Sequence, residues 1–196
     1  MALNATTSTA VPAAEHGHHI SPAKRLQMNR VGLWLFFFSE SLIFGLLLSA
    51  RFFLAGIDRE HVDQTLGLII TIILLVSSIT AYLGETAVEH GNRKMGIWMI
   101  LATIVLGLVF AGGVAYEWGT AHFSRQQVFG TVFFSMTGMH AFHVMSGVVF
   151  LILAWWQLVR GSFGPGDSWG ITATVMYWHF VDVVWVFFYP ALYLVS

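Results

Sequence analysis

Five stretches of this chain are each apolar over more than the roughly 20 residues that a helix needs to cross the hydrocarbon of a bilayer. That property decides what the chain can fold into. The stretches run over 31–55, 64–90, 95–118, 127–160 and 168–195. No water reaches the bilayer interior, so each segment has to satisfy its own backbone N–H and C=O groups, and each is expected to be a helix. Segment 127–160 exceeds the minimum span and is expected to tilt or to project from the membrane. The interruptions are chemically consistent with turns. AGIDREHVD (55–63) is charged, HGNRK (90–94) combines Gly and Asn with two cations, and GSFGPGDSWG (161–170) is rich in Gly around Pro165. The expected fold is all-α, a polytopic membrane protein of five transmembrane helices.

Composition agrees. Only 10% of the residues are charged and 57% are hydrophobic, against about 25% charged in a soluble domain. The net charge of −1 gives nucleic acid no purchase. The chain has no cysteine, which removes disulfides, thiolate metal sites and thiol catalysis. Residues 1–29 are rich in Ala, Thr and Ser, lack the apolar core of a signal peptide, and are expected to be a mobile tail. Residues 30–196 form the membrane domain. His16, His18 and His19 in the tail are read first as solvated residues, with metal binding as the alternative. Lys24, Arg25, Arg30, Arg93, Lys94 and Arg160 fall on one side of the membrane, and Arg51, Arg59 and Arg125 on the other. This imbalance predicts an inside N-terminus and an outside C-terminus. No internal repeat is evident, so the inverted-repeat architecture of many transporters has no support.

Ionisable residues inside the spans are the candidate functional groups, because a charge at that depth costs several kcal/mol unless neutralised, paired or wetted. Glu40 lies ~14 Å along the first span at 1.5 Å per residue, beside Ser39 and Ser41. Glu85 and Glu89 share a face of the second span. Glu89 is expected at the inner interface as an ion pair near Arg93 and Lys94, with Glu85 one turn deeper. His140 and His143 in TGMHAFHVMSG (137–147) share a face of the fourth span, among small residues that let another helix approach. Glu85 is the expected carboxylate partner of these imidazoles. His179 and Asp182 form a similar pair in YWHFVDVVWVFFYPALYLV (177–195). Tyr116 and Glu117 end the third span at the outer side. A b-type haem needs facing histidines from different helices, and His140 or His143 with His179 is the candidate pair. Interhelical hydrogen bonding is the alternative reading of the same residues and the one favoured here. Taken alone, these residues define a helical membrane protein with a buried network of Glu40, Glu85, His140, His143, His179 and Asp182, and no reaction.

The motifs also carry a resemblance. TGMHAFHVMSG resembles the TGxHxxHVxxG element of subunit III of haem-copper oxidases, and YWHFVDVVWVFFYPALYL that subunit's closing helix. FFFSESLIF is similar to the Ser-Glu element of its first core helix, ETAVEHGNRK to its inner loop, and GVAYEW to the end of a later helix. The matches run in family order from about residue 30 to 195. The resemblance implies a cytochrome c oxidase subunit III-like bundle: a non-catalytic subunit of a cytochrome c or quinol oxidase in aerobic electron transport. It implies no haem or copper in this chain, with haem and copper held by partner subunits. It further implies packing against catalytic subunit I and subunit II in a hetero-oligomer, bound phospholipid, and support of proton uptake. Arg93 and Lys94 then become candidate lipid head-group contacts, and Glu40 matches a carboxyl that carbodiimides modify in relatives. The longest relatives carry two further helices ahead of the first span, and the shorter form points to a prokaryotic plasma membrane. The alternatives are an accessory protein of a nitric oxide reductase system, an independent b-type cytochrome and a transporter.

Overall fold

In the computed structural model, residues 21–55, 62–161, 163 and 168–195 are described. They form five helices: α1 (Pro22–Leu54), α2 (Gln64–Glu89), α3 (Arg93–Thr120), α4 (Val128–Arg160) and α5 (Trp169–Tyr189). A five-residue π-helical turn, Pro190–Leu194, follows α5. All five helices are long and apolar enough to cross a membrane. The tail histidines and Arg59 lie outside the described residues.

Helix α1 starts earlier than the apolar pattern suggested. Ser21 Oγ accepts the Lys24 N–H and Pro22 occupies the first turn, where its missing N–H is no loss. Residues 22–29 therefore extend the first helix instead of belonging to a tail. They include Ala, Lys, Arg, Leu, Gln and Met, all good helix formers; their polarity disguised them.

The α2–α3 connection follows from HGNRK. Gly91 adopts φ 78°, a left-handed conformation that ends α2, and Asn92 Oδ1 then caps α3 through the Met95 N–H at 3.2 Å. The two helices pack closely because Gly84 lies under Ile100 and Gly96 under Val88. Gly161 does the same for α4 at φ 81°. Gly161→Ala is expected to lower stability by about 1 kcal/mol, since an L side chain pays for the left-handed conformation. A thermal shift of the purified protein measures this.

Helices α2 to α5 make the packed body, with α1 laid against α4 and α5. The apolar window of α5 is 50% buried and that of α1 only 11%. Helix α1 touches the body through a narrow stripe whose buried members, Phe37, Phe44 and Arg51, recur every seven residues. Most of its remaining apolar surface faces outward, as expected of a helix in lipid.

Candidate functional site

Most of the polar residues within the spans fall into three groups, each lying between helices. The first joins α1 to α4. His143 Nε2 meets Glu40 Oε2 at 3.2 Å, and both side chains are largely buried. The other ring nitrogen, Nδ1, faces the Met139 carbonyl at 2.8 Å. Phe44 places its ring edge-on at 4.8 Å from the imidazole. Both nitrogens of His143 are thus occupied.

The second group fastens α5 to α2. Trp178 Nε1–H donates to Ser77 Oγ at 3.0 Å, and Trp185 Nε1–H donates to Thr71 Oγ1 at 2.9 Å. His179 Nδ1 shares a hydrogen bond of 2.6 Å with Ser78 Oγ. The two helices run antiparallel, so a step of about two turns along α5 matches a step the other way along α2. The ring of Trp178 lies between Gly107 of α3 and Gly147 of α4. A Cβ there would come within 2.5 and 2.9 Å of the indole respectively. Asp182 is 3% exposed. Ser78 faces it, yet among the described residues both its carboxyl oxygens are without a hydrogen bond of ordinary geometry. His140 is fully enclosed, stacked on Trp185 at 4.8 Å with Phe110 edge-on at 5.7 Å, and neither ring nitrogen has a hydrogen-bond partner among the described residues.

The third group lies at the end of the bundle opposite the start of α1. Arg51 is 0% exposed; its Nε–H donates to the Ala191 carbonyl at 3.1 Å and its guanidinium lies 5.1 Å from the centre of the Phe129 ring. Gln64 Nε2 donates to the Tyr193 carbonyl at 3.1 Å. Tyr193 Oη–H donates to Glu117 Oε2 at 2.6 Å.

The expected pairing of Glu85 with His140 and His143 is overturned. Helix α2 packs against α3 and α5, whereas α4 receives α1. Glu85 is half-buried beside Thr172, in the first turn of α5, and Glu40 takes the place opposite His143. The expected ion pair of Glu89 is also not formed among the described residues: Glu89 is exposed, and Arg93 turns to the end of α4. There its Nε–H donates to the Leu158 carbonyl at 2.8 Å and its Nη2 to the Val159 carbonyl, which satisfies helix-terminal acceptors. Lys94 is exposed.

The candidate haem pair does not form either. His143 is occupied at both nitrogens, His179 is tied to α2, and His140 is sandwiched by aromatic rings. Among the described residues, no group of three or more His, Asp or Glu is placed to hold a metal.

Reasoning from sequence missed the Arg51 cluster and the indole-to-hydroxyl bonds. The signal for Arg51 was available, since it lies inside LLLSARFFLA, a turn before the apolar run ends. It was counted instead with the flanking cations.

Two adjoining cavities of about 480 and 360 Å³ form one apolar groove between α1 and α5. They share Ser41, Phe180 and Val183, and Trp34 and His179 line the end nearer the N-terminus. One turn beyond Trp34, the Arg30 guanidinium lies 5.8 Å from the centre of the Trp169 ring.

The family described as cytochrome c oxidase subunit III matches residues 30–196. A protein of Thermostichus vulcanus named cytochrome c oxidase subunit 3 is 33% identical over 94% of this chain and 93% of its own length. One of the same name from Prototheca wickerhamii is 33% identical over 90% of this chain and 72% of its own length. One from Gallus gallus is 39% identical over 63% of this chain, and the matched part spans about half (48%) of that relative.

Proposed function

Because the chain belongs to the cytochrome c oxidase subunit III family, we propose that it serves a haem-copper respiratory oxidase as a helical scaffold and takes no electrons itself. The observation that carries this reading is the use made of its buried ionisable groups. Glu40 and His143 hold α1 on α4, and His179 holds α5 on α2. Such bonds contribute ~0.6 kcal/mol each, up to ~2, so they set orientation more than they add stability.

The partners under this reading are catalytic subunit I and subunit II, which carry the haem and copper. The oxidase takes electrons from cytochrome c or quinol, and this chain supports proton uptake by keeping its neighbour's surface intact. Phospholipid fits the α1–α5 groove by chemistry: the walls are apolar, and cations gather at the end that carries the N-terminus. Arg93 is engaged with α4, which leaves Lys94 and Arg160 as the freer phosphate contacts at that end. Burial of Arg51 within the bundle strengthens the charge asymmetry of the exposed ends, in favour of an inside N-terminus. A prokaryotic plasma membrane is the proposed location.

The test is extraction of the tagged chain in mild detergent. Haem- and copper-bearing polypeptides are expected to co-purify, and after separation in stronger detergent the reduced-minus-oxidised haem spectrum is expected to stay with them. A haem spectrum that follows this chain would overturn the proposal.

A further inference from the structure

Helix α3 ends beside a small polar cavity of about 180 Å³. Asp63, Glu117, Thr120 and His122 supply its polar lining, and Tyr116 and Phe123 its aromatic walls. Glu117 reaches the cavity from inside the bundle and is only 4% exposed. Its Oε2 receives the Tyr193 hydroxyl at 2.6 Å, and its Oε1 has no hydrogen-bond partner among the described residues. Asp63 reaches the cavity from the solvent side and is exposed. Its Oδ1 caps α2 by accepting the N–H groups of Thr65 and Leu66 at 2.9 and 3.1 Å, which leaves Oδ2 for another partner. The two carboxyls lie within electrostatic reach of each other.

Other helix ends in this fold receive a guanidinium. Arg93 donates to the last carbonyls of α4, and Arg51 to the Ala191 carbonyl of the π-helical turn. The end of α3 carries the same partial negative charge, but its last turn has no basic residue. Among the described residues, no lysine or arginine lines the cavity beside it either; two carboxyls stand there instead. We propose that this cavity binds a hydrated divalent cation of the magnesium–calcium class, with Glu117 Oε1 as the buried ligand and Asp63 Oδ2 as the outer one. The donors select the class. Carboxylate and hydroxyl oxygens suit hard cations, whereas the lining offers a softer metal a single imidazole and no thiolate. Magnesium keeps several waters and is commonly held through one or two carboxylates. A third His, Asp or Glu ligand, which is not in place among the described residues, is therefore not required. Size agrees: a water takes about 30 Å³ in the liquid, so the cavity has room for an ion and part of its hydration shell. A cation here ties the start of α2 to the end of α3, at the opposite end of the pair from the Gly91 turn.

Terbium(III) is the probe, a hard, oxygen-seeking ion whose luminescence is excited through nearby aromatic side chains. Tyr116 on the cavity wall and Tyr193 bonded to Glu117 serve here. Detergent-purified complex containing the unaltered chain is stripped with EDTA and compared with Glu117→Gln, Asp63→Asn and Glu89→Gln. Gln can still accept the Tyr193 hydroxyl, and Asn caps a helix as well as Asp does, so the two cavity variants keep the local fold. Glu89 is an exposed carboxylate at the far end of α2 and serves as the control. The unaltered chain is expected to give a saturable signal that magnesium or calcium displaces at about 10⁻⁴–10⁻³ M, the weak range that suits so few charged ligands. Because affinity follows ligand charge, Asp63→Asn is expected to weaken binding roughly tenfold and Glu117→Gln by more, with Glu89→Gln unchanged. Metal sites on partner subunits contribute equally to every version and cancel in the comparison. Added magnesium is also expected to raise the thermal midpoint of the unaltered chain and of Glu89→Gln, but not of the cavity variants. A Glu117 that merely held Tyr193 would instead lower the midpoint on substitution equally with and without the cation. Should Glu117→Gln fail to assemble, Asp63→Asn decides alone. Three results would each overturn the proposal: a terbium signal that survives the cavity substitutions, displacement by sodium as effective as by magnesium, and a magnesium-induced rise in midpoint that is equal in every version.

Discussion

Trp178→Ala is expected to release this chain from the oxidase during detergent extraction that leaves the unaltered chain bound. Trp178 is 0% exposed and touches every helix of the packed body. It belongs to α5, its N–H bonds Ser77 of α2, and its ring fills the gap between Gly107 of α3 and Gly147 of α4. Truncating a core Trp or Phe to Ala costs about 3–5 kcal/mol, part of it for the cavity that remains. The lost indole–hydroxyl bond adds ~0.6 to ~2. Ser77 is not stranded, because its hydroxyl also donates to the Leu74 carbonyl at 2.6 Å. The penalty is therefore mainly one of volume, and Trp178→Phe is expected to recover more than half of it. Gly107→Val and Gly147→Val test the same junction from the other side. Each pushes against an indole pinned on its far face, and overpacking of this kind costs about 1–3 kcal/mol, sometimes more. The measurement is the amount of this chain retained per haem after extraction, with the thermal midpoint of the complex beside it. Full retention of Trp178→Ala would mean that the α2–α5 body does not depend on this ring.

The helices themselves were legible because one physical demand, backbone satisfaction without water, turns each long apolar run into a helix. The α2–α3 turn was legible because Gly91 and Asn92 have the chemistry of a helix stop and a helix start. What sequence could not supply is which helix lies beside which. Glu40 and Glu85 were both carboxylates at membrane depth, and nothing local distinguishes them as partners of His143. Only the placement of α1 on α4, with α2 turned to α3 and α5, decides for Glu40. Arg93 illustrates the same gap. Its position after a helix stop marks it as an interfacial cation, but not as the donor that closes α4, whose end is 65 residues away in the chain. The start of α1 was hidden for another reason. Apolar periodicity detects the part of a helix that lies in lipid, and residues 22–29 continue the same helix as a polar surface.

Glu40→Leu and His143→Leu are each expected to destabilise the α1–α4 contact, and the double variant is expected to lose less than either single change. Removing Glu40 leaves His143 Nε2 facing Phe44 and hydrocarbon with no acceptor or donor; removing His143 leaves a carboxyl in the same surroundings. A buried polar group left without its partner costs about 1–3 kcal/mol, whereas replacing both partners by apolar residues of similar shape is close to neutral. The sum of the two single losses exceeds the loss of the double variant, and that excess is the coupling energy that a double-mutant cycle on the thermal midpoint reads. The same set decides between a fastener and a proton relay. Gln at position 40 keeps a hydrogen-bonding group opposite His143 but cannot release a proton. If Glu40 only fastens, Glu40→Gln retains normal turnover per haem, Glu40→Leu loses it slowly as the subunit comes away, and Glu40→Leu with His143→Leu recovers. If Glu40 passes protons, Glu40→Gln lowers turnover at once while the complex stays intact, and the double variant recovers nothing. The engagement of His143 by Glu40 at one nitrogen and the Met139 carbonyl at the other favours the first outcome, because a backbone carbonyl accepts a hydrogen bond but is far too weak a base to take the proton onward.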